Sequence, residues 1–478
     1  MSANASSTAA SVGNFLQEGF KVMFYLKSPH ELALTNDSPT PKYLLDYGVP
    51  MFFVLMIIEW IGLAVRDYFG GHRNANTHGG ERPHTFYRLN DMIVSTTIGS
   101  VQTVFVFFYD IVGIWGSSKL YQFVYDNYRL ADIDPQEYVW ATYLVLLLGL
   151  DLGYYWNHRF LHEFHLWWSA HSVHHSGEDF NLPTALRQGA LQKLTSFFFN
   201  WPFAVMGIPV QAFLAHAQLN TLYQFWFHTD LINRMPLGLE YVINTPMAHR
   251  LHHRYPGNRN YAGVFIIWDR MFGTYQAERV RKDMYGLARQ PNTFSVAKLN
   301  ANHFKNMAQI GSGGNGGFKS TWLYRLFARR VKHRYTFSLA ALFEPIPPLE
   351  KDERISHGPV RRKWNGHGPS GLLNNVVLVS LCVTGLAIGL VTMVLHGPAD
   401  MSHTDVVLAS VASLVVMECG TRIADASQRM VYIPLLFQPV CIRTLTAIVG
   451  FAVAALAVRF PLHGAVELIK MIAIVASV

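Results

Sequence analysis

Eight histidines fall into three short groups whose spacing suits metal binding. The groups read HRFLH, HSVHH and, further along the chain, HRLHH. On a helix, residues three or four positions apart lie on one face, one turn from each other. Neutral imidazole is the most common metal ligand in proteins. The eight residues are His158, His162, His171, His174, His175, His249, His252 and His253.

The number of these histidines favours two metal ions over one. A single zinc ion uses about three or four protein ligands, whereas two ions with about four or five ligands each would use the whole set. The zinc-protease pattern HExxH is absent, because the Glu163 that follows His162 is followed by His165 one position too early. Carboxylates do not dominate the groups, so the ferritin-like pattern does not fit either. Imidazole alone leaves zinc, copper, iron and nickel open.

Three further histidines and one aspartate lie near these groups. His228, in FWFHTD, is either a ninth ligand or an interfacial histidine. His216 lies deeper in the same predicted helix and is left outside the set, as is His165, which does not share the helical spacing. Asp151 precedes His158 by seven residues on one predicted helix face. It either accepts the second ring N–H of a ligand imidazole or is a polar group satisfied within the helical bundle.

The composition is that of an integral membrane protein. Half of the residues are apolar and 15% are charged, against about 25% charged in soluble domains. The net charge of +8 is modest and suits a surface that faces anionic lipid. No clustered, aromatic-interleaved basic patch is visible, so we expect no nucleic-acid partner. The three cysteines form no CxxC or disulfide pattern. The predicted fold class is all-α: a polytopic membrane helical bundle.

Apolar runs long enough to span a bilayer are predicted at Tyr47–Val65, Met92–Trp115 and Tyr138–Trp156. A longer run, 189–227, is interrupted at Trp201–Pro202 and at Gly207–Pro209, which predicts a hairpin of two helices. Because a hairpin returns the chain to the side it left, we expect all the histidine groups on one membrane face.

Four regions are predicted: a tail (1–40), a membrane catalytic domain (41–280), a basic loop (281–367) and C-terminal membrane helices (368–478). The excess of Lys and Arg in the loop indicates the cytosolic side. No predicted span separates the loop from the histidine groups. The predicted metal site therefore faces the cytosol.

The histidine groups and the text around them resemble the fatty acid hydroxylase and sterol desaturase superfamily of membrane di-iron enzymes, over roughly residues 90–280. The stretches that carry the resemblance are DLGYYWNHRFLHE, HSVHHSGEDFNLPTALRQ, LYQFWFHTDLI, NTPMAHRLHH and NYAGVFIIWDRMFGTYQAE. The resemblance implies two iron ions held by the eight histidines. His228 matches the position of a further superfamily histidine.

The stretches SGEDFNLPTALRQ and WDRMFGTYQAE are similar to the branch that oxidises glyceryl ethers. This similarity implies hydroxylation, with O2 and tetrahydrobiopterin, of the ether-linked carbon of an alkylglycerol, giving a fatty aldehyde and a glycerol derivative. It also implies a multi-pass protein of the endoplasmic reticulum membrane. Glu163 matches a glutamate that helps to bind the pterin, with a solvated or metal-supporting carboxylate as the alternative. Residues that could line the substrate or pterin path, or only pack the helices, are Asn181, Thr184, Arg187 and Gln188.

Three other functions remain open at this point. A fatty acyl or sterol hydroxylase or desaturase of the same superfamily would take electrons from a cytochrome, although no fused haem domain is apparent. A metal transporter or sensor would need ligands deep within several spans, whereas these histidines are predicted at helix ends and in loops. A zinc hydrolase would use the metal without consuming oxygen.

Overall fold

The computed structural model describes residues 2–69, 89–112, 118–255, 257–278, 285–310, 327–331, 333, 335–346, 414 and 417–418. This part of the chain is helical and contains no strand, which confirms the predicted helical fold. The predicted C-terminal membrane helices lie almost entirely outside the described residues, as do the boundaries predicted near 280 and 368. The division into four regions therefore stays a prediction.

The helices that lead into the histidine groups are α1 (Ser2–Met23), α2 (Val49–Phe69), α3 (Leu89–Val112), α4 (Ser118–Tyr128) and α5 (Val139–Glu163). The helices that follow are α6 (His165–His171), α7 (Leu182–Leu186), α8 (Gln192–Thr195), α9 (Phe197–Met206), α10 (Val210–Trp226), α11 (Pro246–His253), α12 (Ile267–Met271) and α13 (Val296–Ile310).

Two helical segments of the described chain, Leu44–Arg66 and Val139–Glu163, are long and apolar enough to cross a membrane. They coincide with the first and third predicted spans. The second predicted span is also helical, as α3, and contains a shorter apolar stretch at Asp91–Val106. These lengths and compositions agree with the predicted spans.

One side of α2 packs on the protein core and the other does not. Phe52 of α2 is buried and stacks on Phe225 of α10 with ring centroids 4.1 Å apart. The opposite side exposes a continuous set of large apolar residues, namely Phe53, Val54, Ile57, Ile58, Trp60, Ile61 and Val65. An apolar surface of this extent needs a partner in place of water, and lipid chains are such a partner.

The predicted hairpin is formed by α9 and α10, and its turn lies at Gly207. The predicted break at Trp201–Pro202 is wrong, because Pro202 lies inside α9, where it removes one backbone donor without ending the helix. Gly207 ends α9 with φ of +93°, a conformation that costs other residues free energy. A Cβ on Gly207 would lie 1.9 Å from the carbonyl oxygen of Ala131. Only glycine fits this turn.

We expect Gly207→Ala to lower the free energy of unfolding by at least about 2 kcal/mol, because the left-handed backbone and the contact with Ala131 both oppose a side chain. Thermal unfolding in detergent would measure the loss. Gly13→Ala is the matched control, since a Cβ on Gly13 of α1 meets nothing within 4 Å. Equal stability of the two variants would contradict this account of the turn.

Candidate metal centre

Five elements of the fold bring the nine histidines together. The last two turns of α5 carry His158 and His162, and α11 carries His249, His252 and His253, so the predicted helical spacing is correct for both groups. It is wrong for the middle group, because α6 ends at His171 and the next two histidines lie on a 3-10 turn, His174–Ser176. His228 follows the end of α10. All nine side chains are buried.

Tertiary contacts sort these histidines differently from their order in the chain. One group holds five, which are His158, His162, His171, His175 and His252. The other holds four, which are His174, His228, His249 and His253. Within each group the possible ligand atoms all lie within 4.8 Å of one another. His174 thus separates from its neighbour His175, and His252 separates from His253.

The distances between ring nitrogens suit a shared metal ion. A metal–imidazole bond of about 2.1 Å places two ligands at right angles about 3 Å apart. The Nε2 atoms of His158 and His171 are 3.1 Å apart, and those of His171 and His175 are 3.2 Å apart. In the second group, His249 Nε2 lies 2.8 Å from His228 Nε2 and 3.1 Å from His253 Nε2.

The tautomers make this proximity unfavourable without a cation. His158 Nδ1 lies 2.8 Å from the carbonyl oxygen of Tyr261, and His171 Nδ1 lies 3.1 Å from Gln192 Oε1. His158 Nδ1 must therefore carry the proton, because a backbone carbonyl oxygen can only accept, and with Oε1 of Gln192 facing the ring the Nδ1 atom of His171 carries the proton as well. The two Nε2 atoms then face each other with lone pairs only, so neither can donate to the other. A metal ion between them accepts both lone pairs, and the donor set therefore fits a metal.

Other Nδ1 atoms are held in the same way. His228 Nδ1 bonds to the carbonyl oxygen of Gln224 at 2.8 Å, and His252 Nδ1 to that of Arg259 at 2.7 Å. The Nε2 atom of His252 is buried and has no hydrogen-bond partner among the described residues. Partners of this kind fix the ring orientation and the tautomer of a metal ligand.

Burial keeps the imidazoles neutral, which is the form that binds metal. It lowers the pKa of His228 to about 3 and that of His252 to about 4. Burial, together with neighbouring histidines, also lowers the pKa of His174, His249 and His253 well below the usual value. The cost of charging these groups inside the protein therefore favours free lone pairs at neutral pH.

These shifts predict that the metal-free protein loses stability in acid. Below about pH 6.5 the histidines of the unfolded chain bind protons, whereas the buried imidazoles of the folded protein stay neutral. For each such histidine the free energy of unfolding therefore falls by up to roughly 1.4 kcal/mol per pH unit as the pH is lowered. Thermal unfolding of metal-stripped protein between about pH 7 and pH 5 would measure this slope. We expect His228→Gln to reduce the slope, because it removes one of the buried imidazoles. An unaltered slope in His228→Gln would contradict the conclusion that burial keeps His228 neutral.

Asp151 does not contact an imidazole of the centre, so of its two predicted alternatives the structure supports the second, a polar group satisfied within the protein. Its carboxylate is buried and accepts from the backbone N–H groups of Val264 (2.7 Å) and Phe265 (2.9 Å) and from Trp268 Nε1 (2.9 Å). Both ring nitrogens of His158 point elsewhere. Asp151 instead holds the loop that precedes α12.

A second buried carboxylate holds the same loop closer to the metal centre. Asp269 accepts from the backbone N–H groups of Tyr261 and Ala262, each at 2.7 Å. The carbonyl oxygen of Tyr261 is the partner of His158 Nδ1. The two aspartates therefore act on the metal centre through the backbone. Gly263 lies between them, where a Cβ would be 2.6 Å from Asp151 Oδ1.

We expect Asp151→Asn to lower the free energy of unfolding by about 1–3 kcal/mol, because an amide presents an N–H group to at least one buried N–H donor. The metal content should fall with it, since the loop that orients His158 loosens. Unfolding curves and metal analysis would measure both effects. Asp132→Asn, with a side chain 77% exposed, is the control. An Asp151→Asn variant that is as stable as the parent and binds metal normally would refute the role of Asp151 in holding this loop.

Glu163, for which the resemblance implies a pterin contact, binds donors of the protein itself, and its role in pterin binding stays a prediction. Its side chain is fully buried, with Arg159 Nε 2.8 Å from Oε1 and Arg329 Nη2 2.7 Å from Oε2. Tyr335 OH donates to the same Oε2 at 3.0 Å. With donors from the protein on both oxygens, the carboxylate joins the end of α5 to Arg329 and Tyr335. These residues were expected to be part of a cytosolic loop, and their approach to the centre was missed.

The remaining predicted positions have other partners. His216 Nδ1 lies 2.6 Å from Tyr25 OH inside the core, and His165 Nδ1 lies 3.0 Å from His303 Nε2 outside the centre. Asn181 and Thr184 form the capping box of α7. Arg187 pairs with Asp91, and the Arg187 backbone oxygen lies 3.2 Å from His174 Nδ1. Gln188 Nε2 lies 3.2 Å from the same Nδ1.

Sequence reasoning also missed Glu59 of α2. This buried glutamate accepts from the backbone N–H of Leu182 at 2.8 Å and from the hydroxyl of Thr229, next to His228. It thereby joins α2 to the four-histidine group. The signal was available, because a single carboxylate within a predicted span is a functional candidate.

Residues 143–274, which contain all nine histidines, match the Fatty acid hydroxylase family. Over a longer stretch the chain is homologous to alkylglycerol monooxygenases, which confirms the resemblance found in the motifs. It is 38% identical to the alkylglycerol monooxygenase of Xenopus tropicalis over 291 residues, covering 60% of this chain and 59% of the relative. The match to the Homo sapiens alkylglycerol monooxygenase is 38% over 291 residues, or 60% of each chain.

A more distant relative is the ornithine lipid hydroxylase OlsE of Rhizobium tropici, 29% identical over 151 residues, covering 28% of this chain and 43% of the relative. The chain spans about 60% of the length of the first two relatives. No solved structure matches the chain significantly.

Proposed function

We propose that this protein is a membrane-bound alkylglycerol monooxygenase with two iron ions and tetrahydrobiopterin as the electron donor. The observation that carries the proposal is the convergence of nine buried imidazoles into adjacent groups of five and four. The similarity to alkylglycerol monooxygenases supports the choice of substrate. The proposed ligands are His158, His162, His171, His175 and His252 for one iron, and His174, His228, His249 and His253 for the other.

The position of the centre on α5 suits a lipid substrate. The first half of α5 exposes Trp140, Leu144 and Leu148, while His158 and His162 near its end are buried. The distance along the helix from Leu148 to His158 is about 15 Å. An alkyl chain that lies beside the exposed half would therefore bring its polar glycerol end to the level of the histidines.

The irons and the pterin would supply the oxygen chemistry: an electron pair from the pterin reduces O2, so that one oxygen atom enters the C–H bond and the other leaves as water. The protein's own contribution is to hold the imidazoles with their Nε2 lone pairs directed inward and to exclude water by burying all nine. Hydroxylation of the carbon next to the ether oxygen makes a hemiacetal. This product breaks into a fatty aldehyde and a free glycerol hydroxyl.

The proposal includes the endoplasmic reticulum membrane as the location, with the centre facing the cytosol. Residues 327–331, a basic segment that contains Arg329 and Arg330, contact the end of α5 through these two arginines. This contact supports a cytosolic centre, since basic segments are retained on that side. The histidines lie at helix ends and in turns, which disfavours a transport pathway through the spans.

The decisive experiment measures alkylglycerol oxidation by membranes that contain the protein, with and without tetrahydrobiopterin. We expect pterin-dependent formation of fatty aldehyde by the parent and a loss of at least about 100-fold in His174→Ala, since a metal ligand is removed. His165→Ala, a histidine of the same stretch outside both groups, should retain activity. Oxidation of a fatty acyl chain or sterol with cytochrome-delivered electrons, and none of alkylglycerol, would replace this proposal with the related superfamily activity.

A further inference from the structure

Arg330 contacts the five-histidine group, although it lies outside the segment that matches the hydroxylase family. Its Nε donates to the backbone oxygen of His162 at 3.1 Å, and its Nη2 donates to Asn258 Oδ1 at 2.7 Å. The same Oδ1 lies 3.3 Å from His162 Nδ1. The guanidinium therefore reaches both the main chain of His162 and the partner of its ring.

The Nδ1 partner of His162 selects a tautomer less strictly than the partners of His158 and His252 do. His158 and His252 place Nδ1 against backbone carbonyl oxygens, which can only accept. His162 Nδ1 instead faces the side-chain amide of Asn258, which has an oxygen on one side and an NH2 group on the other. If the NH2 group faced the ring, Nδ1 would have to be the acceptor, and the proton would move to Nε2.

Arg330 removes this ambiguity because a guanidinium has donors and no acceptor. It can face only the amide oxygen of Asn258, and that oxygen has a second lone pair for the Nδ1–H group of His162. The Nε2 atom of His162 is then left with its lone pair. That atom is buried and has no hydrogen-bond partner among the described residues, so it is free to bind a metal.

Several contacts hold Arg330 in this position. Its guanidinium carbon lies 3.9 Å from the centroid of the Trp168 ring, a cation–π contact. Its backbone N–H donates to the carbonyl oxygen of Glu163 at 2.6 Å. The neighbouring Arg329 binds the carboxylate of Glu163 at 2.7 Å. The basic segment is thus attached to the end of the helix that carries His162.

We propose that Arg330 is a positioning residue of the five-histidine group: by donating to Asn258 Oδ1 it fixes His162 as the Nδ1–H tautomer, whose Nε2 binds the metal. The inference rests on the proposed two-metal centre. It assigns to the basic segment a role in metal binding that the segment's composition does not indicate.

The test titrates the full-length, metal-stripped protein in lipid nanodiscs with Fe(II) under anaerobic conditions, followed by Mössbauer spectroscopy and chelator competition. Substrate and pterin are left out. We expect Arg330→Gln to weaken the binding of one of the two irons by about 10–100-fold and to change the Mössbauer component of that iron. The reason is that the amide of Gln can present either its oxygen or its NH2 group to Asn258. The second iron should be unaffected. Arg289→Gln, at an exposed position, is the matched control for the loss of one charge.

A second substitution separates positioning from a general structural role. Asn258→Asp offers only acceptor oxygens to His162 and therefore selects the same tautomer without help from Arg330. We expect the double variant Asn258→Asp, Arg330→Gln to recover the affinity that Arg330→Gln loses. Asp tolerates the positive φ of 62° at this position.

Three outcomes would overturn the inference. They are normal binding of both irons by Arg330→Gln, equal loss of both irons together with a lower unfolding temperature, and no recovery in the double variant. Because these measurements use neither substrate nor pterin, a parent that binds two irons but does not oxidise alkylglycerol would refute the proposed activity and leave the role of Arg330 supported.

Discussion

The structure depends on one electrostatic requirement: buried lone pairs that face each other need a cation between them. His158 and His171 show this most clearly, since acceptors hold both Nδ1 protons and leave the Nε2 atoms 3.1 Å apart. Without a cation, such an arrangement loses the hydration of each nitrogen and gains no hydrogen bond. A metal ion turns the same repulsion into bonds. We therefore regard the nine imidazoles as a site shaped for metal rather than as a polar core.

Holding that arrangement is the task of buried carboxylates that do not bind the metal themselves. Asp151 and Asp269 bind backbone N–H groups of one loop, and the loop offers the carbonyl oxygen of Tyr261 to His158. Glu163 joins α5 to the basic segment, and Glu59 joins α2 to the turn after α10. Each carboxylate is buried among donors, which is the condition under which a charge is tolerated away from water.

The surface of α2 and of the first half of α5 would suit contact with lipid chains. α2 and the first half of α5 expose apolar residues, while polar and ionisable groups gather at the end of α5 and in the elements that contact it. The candidate metal ligands are buried at helix ends and in turns, an arrangement that would suit a lipid environment, in which an unsatisfied polar group is costly. This division places a water-poor site beside a surface that suits lipid chains.

Much of this could be predicted from the sequence, because histidine spacing and apolar runs are local properties. The pattern determined the helical fold, the helices α2 and α5, the hairpin of α9 and α10, and the membership of His228 among the candidate ligands. Only the tertiary structure decided which histidines share a group, since His174 and His175 are adjacent in the chain yet point into different groups. It also decided that Asp151 binds donors of the loop before α12, that Glu163 binds Arg159 and Arg329, and that Arg330 reaches Asn258. The physical reason is that hydrogen-bond partners are set by how distant segments pack together, and residue spacing within one segment does not specify that packing.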